Sequence, residues 1–222
     1  MDRVQVKVCG IRTVEAARAC AAARLDFAGL NFVDGRRRAV TPEVAATLVG
    51  ELAPVTPVGL FQDSPAERVV GVSKQLGLRW VQLHGQESLA YCEGLVNAAD
   101  VKIIRAVTAE MLQDLAWMRS LAACVDILLV DGPVPGSGCV WRWEALASAR
   151  RELGDSSPGL LAGRPFWIAG GLNPDNVASA IVTLDPAGVD SATGIEHDGQ
   201  CSSALIARFC QRARAAETGA VQ

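Results

Sequence analysis

Eight short runs of apolar, mostly β-branched residues are spaced along this chain of 222 residues, and a segment with helical character follows each run. We predict strands at Val4–Cys9, Phe27–Phe32, Thr56–Phe61, Trp80–Leu83, Val101–Arg105, Ile127–Val130, Phe166–Ala169 and Gly188–Asp190. We predict helices at Val14–Ala23, Thr41–Glu51, Pro65–Leu76, Gln86–Val96, Ala109–Ser120, Glu144–Glu152, Pro174–Leu184 and Ser203–Ala215. Alternation of this kind is typical of a parallel sheet whose helices return the chain from one strand to the next.

The number of repeats narrows the fold further. Eight is the number at which a parallel sheet closes into a barrel, and single barrels commonly have about 200–250 residues. We therefore predict an α/β protein that forms one (β/α)8 TIM barrel over residues 1–222. An open doubly wound sheet is the alternative, but no GxGxxG motif follows a strand. The segment Gly154–Gly163 is rich in Gly, Ser and Pro, and it is predicted to be a loop and not a domain linker.

Composition and charge exclude several classes of function. The net charge is -3 and 20% of the residues are charged, so no basic patch large enough for nucleic acid is expected. No apolar run approaches the roughly 18 residues of a membrane span, and no secretory signal is expected at the start of the chain. The seven cysteines are scattered and form no CxxC pair. We expect a cytoplasmic protein without a bound metal.

Polar residues are concentrated where the predicted strands end. Lys7 and Cys9 share the face of the first strand that points into the barrel, because Val4, Val6 and Val8 take the other face. The fourth, fifth and sixth strands end at His84, Arg105 and Asp131, and we expect these side chains to line one pocket. Lys7 and Arg105 should then lower the pKa of the Cys9 thiol below its free value of about 8.5 and favour a thiolate base. An inert, buried cysteine is the alternative.

Asp131 is a second candidate for chemistry. It directly follows the apolar run Ile127–Val130. A carboxylate at the mouth of a barrel must either be hydrated or take part in binding or catalysis. The alternative is that it caps the start of a loop.

Two glycine turns predict a phosphate site. Gly170 and Gly171 follow the seventh strand, and Thr193 and Gly194 follow the eighth. Barrels often bind phosphate at these loops through backbone N–H groups, which glycine leaves accessible. Each turn taken alone is equally consistent with a simple change of chain direction.

Several sequence blocks resemble one known family. The segment Lys7–Ile11, which reads KVCGI, resembles the opening motif of the phosphoribosylanthranilate isomerases of tryptophan biosynthesis. Further similar blocks follow in the family's order: Gly29–Phe32, Arg38–Glu43, Val81–Gly85, Leu128–Asp131, Gly136–Gly138 with Trp143, Ile168–Val177 and Gly188–Glu196. Together they extend over nearly the whole chain.

This resemblance implies a barrel of the ribulose-phosphate-binding type and a reaction without a cofactor. The reaction is the Amadori rearrangement of N-(5′-phosphoribosyl)anthranilate to 1-(2-carboxyphenylamino)-1-deoxyribulose 5-phosphate. In the resembled family, the aspartate matching Asp131 is the acid that opens the sugar ring, and the cysteine matching Cys9 removes the proton from C2′. The state implied is a monomer or a homodimer.

The resemblance also implies which residues bind the substrate. Arg38 would hold the anthranilate carboxylate and Asp190 would lie near the amine, while Lys7 and His84 would contribute to the same pocket. The phosphate would be held by Gly138, Gly170, Gly171, Thr193 and Gly194.

The chain departs from the family's pattern in its loops. The sixth loop reads Pro135-Gly136-Ser137-Gly138-Cys139 and keeps two glycines, and the second loop has Arg36 and Arg37 before Arg38. These changes leave room for an altered substrate range or a weaker hold on the phosphate.

Two other functions remain open on the sequence alone. The histidine-pathway aminoaldose isomerase catalyses the same rearrangement, but it would need a carboxylate where this chain has Cys9; activity on both substrates stays possible. A noncatalytic protein that binds phosphoribosyl ligands is the second alternative, and equilibrium binding without turnover would identify it.

Overall fold

The protein closes a parallel barrel, seen in a computed structural model that describes residues 3–108, 110–132, 143–155 and 157–217. The barrel strands are β1 (Gln5–Cys9), β2 (Phe27–Asn31), β3 (Thr56–Phe61), β4 (Trp80–Leu83), β5 (Lys102–Val107), β6 (Ile127–Val130), β7 (Arg164–Ile168) and β8 (Gly188–Ser191). Each strand pairs in parallel with its neighbours in sequence order, and β8 pairs with β1 to complete the ring. The predicted (β/α)8 barrel is confirmed.

Helices alternate with these strands. They are α1 (Val14–Ala22), α2 (Pro42–Leu52), α3 (Ala66–Leu76), α4 (Leu89–Ala99), α5 (Leu115–Cys124), α6 (Trp143–Leu153), α7 (Val177–Leu184) and α8 (Ser203–Glu217). None of the described helices has the length and apolar character needed to cross a membrane.

Three helices, α4, α5 and α7, begin at least three residues later than predicted, and capping explains the first two differences. The Ser88 side chain accepts a hydrogen bond from the N–H of Tyr91, so α4 begins at Leu89 and not at Gln86. Asp114 accepts from the N–H of Trp117 in the same way, and a 3₁₀ turn at Met111–Gln113 precedes α5.

Side chains alternate between the inside and the outside of the barrel. The inner cluster consists of Phe27, Val58, Ile104, Ile127, Leu129, Trp167 and Ala169. Val6 and Val8 belong instead to the larger core between the strands and the helices. The inward positions at the carboxyl ends of the strands are therefore left for polar groups.

Short elements extend the barrel ends. Leu160–Leu161 pairs antiparallel with β7. After β8, a 3₁₀ turn at Thr193–Ile195 leads into a small hairpin in which Glu196–His197 pairs with Gln200–Cys201. This hairpin lies beside the loop that follows β2, because Arg37 donates to the carbonyl of Gly199.

Candidate active site

A cavity of about 490 Å³ opens among the carboxyl ends of the strands. This volume suits a small-molecule ligand. The predicted site residues on its wall are Cys9, Arg38, His84, Asp131, Gly170, Gly171, Asp190 and Thr193. Lys7 and Gly194 are not among the wall residues, and Gly138 lies outside the described residues. Within the described parts of the chain, no cluster of three or more His, Cys, Asp or Glu side chains could hold a metal ion.

A buried ion pair forms the floor of the cavity. The register between β1 and β8 places Lys7 beside Asp190, and Lys7 Nζ lies 2.9 Å from Asp190 Oδ2. Burial lowers the pKa of Lys7, but the charges of Asp190 and Cys9 raise it by more, so the amine stays protonated. Asp190 Oδ1 is buried and has no hydrogen-bond partner among the described residues. Asp190 also borders the cavity, so its carboxyl group lies at the cavity wall.

The Cys9 thiol occupies space that Gly29 leaves open. A Cβ at Gly29 would lie 2.6 Å from Cys9 Sγ, so a larger residue in β2 would displace the sulfur. Burial raises the pKa of Cys9, and this effect outweighs the opposing charges of Lys7 and Arg38. The prediction of a lowered pKa was wrong because desolvation of the thiolate exceeds the attraction of the two cations.

Arg105 does not line the pocket with His84 and Asp131, so the prediction that it would was also wrong. Ile104 belongs to the inner cluster of the barrel, and Arg105 therefore takes the outward face of β5. Its buried guanidinium donates to the carbonyl oxygens of Leu83 and Gly85 at 3.1 and 2.8 Å. It also lies 3.4 Å from the carboxylate of Glu87. Arg105 thus stabilises the loop after β4 and does not contact the cavity.

Asp131 is hydrogen-bonded within the cavity wall. His84 Nε2 lies 3.1 Å from Asp131 Oδ2, and Gln82 Nε2 lies 3.1 Å from His84 Nδ1. Gln82 and His84 are two residues apart on β4 and its end, so both point into the barrel. A Cβ at Gly170 would lie 3.0 Å from Asp131 Oδ1. Glycine at that position lets the loop after β7 approach the carboxylate.

Arg38 is fixed by a carboxylate that the sequence analysis did not assign a role. Its Nε and Nη2 atoms donate to the two oxygens of Glu196, each at 2.8 Å. Arg37 donates to Glu196 at 2.6 Å. Burial raises the pKa of Glu196, but the two arginines lower it by more, so the group is ionised at neutral pH. Gly10 has a φ of +87°, and a Cβ there would collide with the Arg38 side chain.

The loops after β7 and β8 form the glycine-rich side of the cavity. Gly170 and Gly171 have φ values of +90° and +73°, a region that suits glycine. Gly194 packs against the loop after β7, because a Cβ there would collide with the carbonyl of Leu172. Ser191 Oγ donates to the same carbonyl at 2.6 Å, which ties the two loops together.

Comparison with known proteins identifies the family. A sequence profile described as N-(5'phosphoribosyl)anthranilate (PRA) isomerase matches residues 6–212. The chain belongs to this family. The N-(5'-phosphoribosyl)anthranilate isomerase of Moorella thermoacetica is 35% identical over 215 residues, which cover 96% of this chain and 91% of the relative.

Solved structures of phosphoribosylanthranilate isomerases agree with the fold. Monomers generated from the dimeric enzyme of Thermotoga maritima superpose with a TM-score of 0.80 at 28% identity, covering 96% of this chain and 99% of theirs. A structure in complex with reduced 1-(o-carboxyphenylamino)-1-deoxyribulose 5-phosphate gives a TM-score of 0.78 at 28% identity, with coverage of 96% and 99%.

As a member of the phosphoribosylanthranilate isomerase family, the chain is an isomerase of tryptophan biosynthesis. It catalyses the isomerisation of N-(5′-phosphoribosyl)anthranilate. The family and activity implied by the resemblance are confirmed. Glu196 and Gln82 are among the side chains near the predicted site residues that had no assigned role. The basic run at Arg36–Arg38 was a sign that a nearby counter-charge was needed; no signal in the sequence singled out Gln82.

Proposed function

We propose that Asp131 and Cys9 are the acid and base of this isomerisation. The proposal rests on one observation: a carboxyl group and a thiol border the same cavity, together with a cation at Arg38 and an unpaired carboxylate oxygen at Asp190. An Amadori rearrangement needs one group that donates a proton and one that removes a proton, and this wall contains both.

Asp131 acts first. In its protonated form it donates a proton to the furanose ring oxygen, and the bond from C1′ to that oxygen breaks. The lone pair of the anthranilate nitrogen forms a C=N bond with C1′, giving an open-chain iminium ion. Asp131 is left as a carboxylate, which the N–H of His84 can stabilise at 3.1 Å.

Cys9 then removes the proton from C2′. The electrons of the C2′–H bond form a C=C bond to C1′ and neutralise the iminium nitrogen, giving an enolamine. The enolamine becomes the ketone when the C2′ hydroxyl loses its proton and C1′ gains one. Because burial raises the pKa of Cys9, the free protein holds mainly the thiol, and the nearby cations Lys7 and Arg38 favour the thiolate. The positive iminium favours it further.

The remaining wall residues hold the substrate. Arg38 uses Nε and Nη2 on Glu196, so its Nη1 can donate to the anthranilate carboxylate. The Asp190 carboxylate accepts the N–H of the substrate amine, and Lys7 holds Asp190 in place through their ion pair. The phosphate is bound by N–H groups of the two glycine turns, at Gly170, Gly171, Thr193 and Gly194, with Gly138 from the sixth loop. No cofactor is required, because each step is a proton transfer or the cleavage of a C–O bond.

Replacement of Asp131 tests the acid role. Asp131→Asn keeps the size of the side chain but cannot donate the proton, so kcat should fall by about 10²–10⁴-fold. Affinity for a reduced product analogue should change by less than about threefold, because the bound state is not altered by proton transfer. The matched control is Asp198→Asn, at an exposed carboxylate in the hairpin after β8, which should retain normal turnover. Near-normal turnover of Asp131→Asn would exclude Asp131 as the acid.

We also propose that residues 1–222 form one domain that acts in the cytoplasm as a monomer or a homodimer. The dimeric relative from Thermotoga maritima supports the homodimer as one of the two states. Light scattering during gel filtration measures the mass directly; a mass above that of two chains would contradict the proposal.

A further inference from the structure

The hydrogen bond from Gln82 to His84 has a consequence for the proposed acid. Gln82 is 1% exposed, and its Nε2 lies 3.1 Å from His84 Nδ1. An amide nitrogen can donate but cannot accept a hydrogen bond. His84 Nδ1 must therefore be the acceptor, and in the neutral imidazole the proton is on Nε2.

The orientation of the Gln82 amide is supported by its surroundings. Gln82 Oε1 is buried and has no hydrogen-bond partner within the described residues. If the amide were turned over, the oxygen would face His84 and the NH2 group, with two donors, would be in the unpartnered position. A buried donor without a partner is rarer than a buried carbonyl without one. The observed orientation is therefore the favoured one.

The proton on Nε2 faces Asp131. His84 Nε2 lies 3.1 Å from Asp131 Oδ2, so this oxygen accepts a hydrogen bond from the imidazole. When Asp131 is a carboxylic acid, its own proton is then directed to the other oxygen, Oδ1. That oxygen lies next to Gly170, which borders the cavity. With the opposite tautomer, bare Nε2 would accept a hydrogen bond from protonated Oδ2, and the acid's proton would point away from the substrate.

We propose that Gln82 is a positioning residue that fixes the tautomer of His84 and so directs the proton of Asp131 toward the substrate. The proposal rests on Asp131 as the acid of the proposed function. It assigns a role to an amide that does not itself exchange a proton with the substrate.

The tautomer can be measured without any turnover. The chain has two histidines, so ¹⁵N-histidine labelling gives four ring nitrogens, and His197→Gln assigns the signals. The His197 side chain is exposed and provides an internal reference for a ring in contact with water. Above the titration of the imidazole, we expect His84 Nδ1 to resonate as a nitrogen without a proton and Nε2 as a protonated one. A protonated Nδ1 in the neutral ring would overturn the proposal.

Two variants connect the tautomer to catalysis. Gln82→Met keeps the length and burial of the side chain but removes the donor, so His84 should become a mixture of tautomers. We expect kcat to fall by about 10- to 100-fold, less than complete loss of an acid, with KM changed by less than about threefold. Gln82→Glu presents an acceptor to Nδ1 and should move the proton onto that nitrogen, with at least the same loss in kcat.

The outcomes separate this proposal from the proposed function. Unchanged kcat in Gln82→Met, with a mixed tautomer seen by NMR, would overturn the role of Gln82 while Asp131 stays the acid. If Asp131→Asn retains turnover, the acid assignment fails whatever the tautomer. If Gln82→Met does not fold, Gln82→Glu and the wild-type spectrum still decide the tautomer.

Discussion

At the scale of single residues, small side chains decide where the reactive groups lie. Cys9 Sγ fills the space beside Gly29, and Asp131 Oδ1 lies in the space beside Gly170. The sequence predicted the positions of Cys9 and Asp131 from strand parity and strand ends. It could not predict the raised pKa of Cys9, because that depends on how completely the folded barrel removes water from the thiol.

Gly29→Ala tests this packing. The added Cβ would lie 2.6 Å from Cys9 Sγ, so the sulfur must move. Because an error of about 1 Å in a catalytic group can reduce the rate about 100-fold, we expect a loss of that order in kcat. Gly50→Ala is the matched control: the new Cβ meets nothing within 4 Å, and activity should be normal. Steady-state kinetics on both variants makes the comparison, and equal activities would contradict the packing.

The raised pKa of Cys9 predicts how the thiol reacts with pH. Burial holds this pKa above its ordinary value, so the reactive thiolate is a minor form at neutral pH. The rate of alkylation by iodoacetamide at Cys9, followed by peptide mass spectrometry, should rise about tenfold per pH unit up to at least about pH 9. Free glutathione gives the reference curve. Alkylation of Cys9 that levels off at a lower pH than glutathione would contradict a raised pKa.

At the scale of elements, side-chain pairs connect strands and loops that are distant in sequence. Lys7 and Asp190 join β1 to β8, and Arg38 joins the loop after β2 to the hairpin after β8. Strand positions were predictable because each strand has its own apolar pattern. The starts of α4 and α5 and the outward position of Arg105 were not, because they depend on local caps and on the strand's register within the barrel.

The Lys7 pair predicts a specific pattern of stability. Lys7→Met leaves the buried Asp190 carboxylate without its cation and should lower the free energy of unfolding by about 3–5 kcal/mol. The double variant Lys7→Met, Asp190→Leu removes both charges and should recover a large part of this loss, because two apolar side chains can replace a buried pair. Urea unfolding measures both values. A double variant no more stable than the single one would contradict the ionic account.

Glu196 should contribute to substrate affinity more than to the chemical steps. Glu196→Gln weakens the bidentate contact that orients Arg38, so KM should rise about tenfold while kcat changes by less than about threefold. The matched control is Glu51→Gln, which weakens an exposed bidentate contact with Arg18 and should leave both constants unchanged. An unchanged KM in Glu196→Gln would remove Glu196 from substrate binding.

At the scale of the whole molecule, closure of the barrel brings together residues from both ends of the chain. Cys9 on β1 and Asp190 on β8 become neighbours through the pairing that completes the ring. The count of eight repeats, together with the absence of a GxGxxG motif after a strand, predicted this closure, and closure brought the ends of most strands around one cavity. The contacts of Glu196 and Gln82 could not be predicted, since they depend on the distances between loops and side chains after closure.

The most direct test of the central claim is the loss of substrate fluorescence in the presence of the purified protein. Freshly generated N-(5′-phosphoribosyl)anthranilate is mixed with the wild-type chain and, in parallel, with Cys9→Ala, and both traces are compared with spontaneous decomposition. With Cys9 as the base, the wild type accelerates the loss and the variant is slower by about 10²–10⁴-fold. Equal rates for the two proteins would contradict the assignment of Cys9.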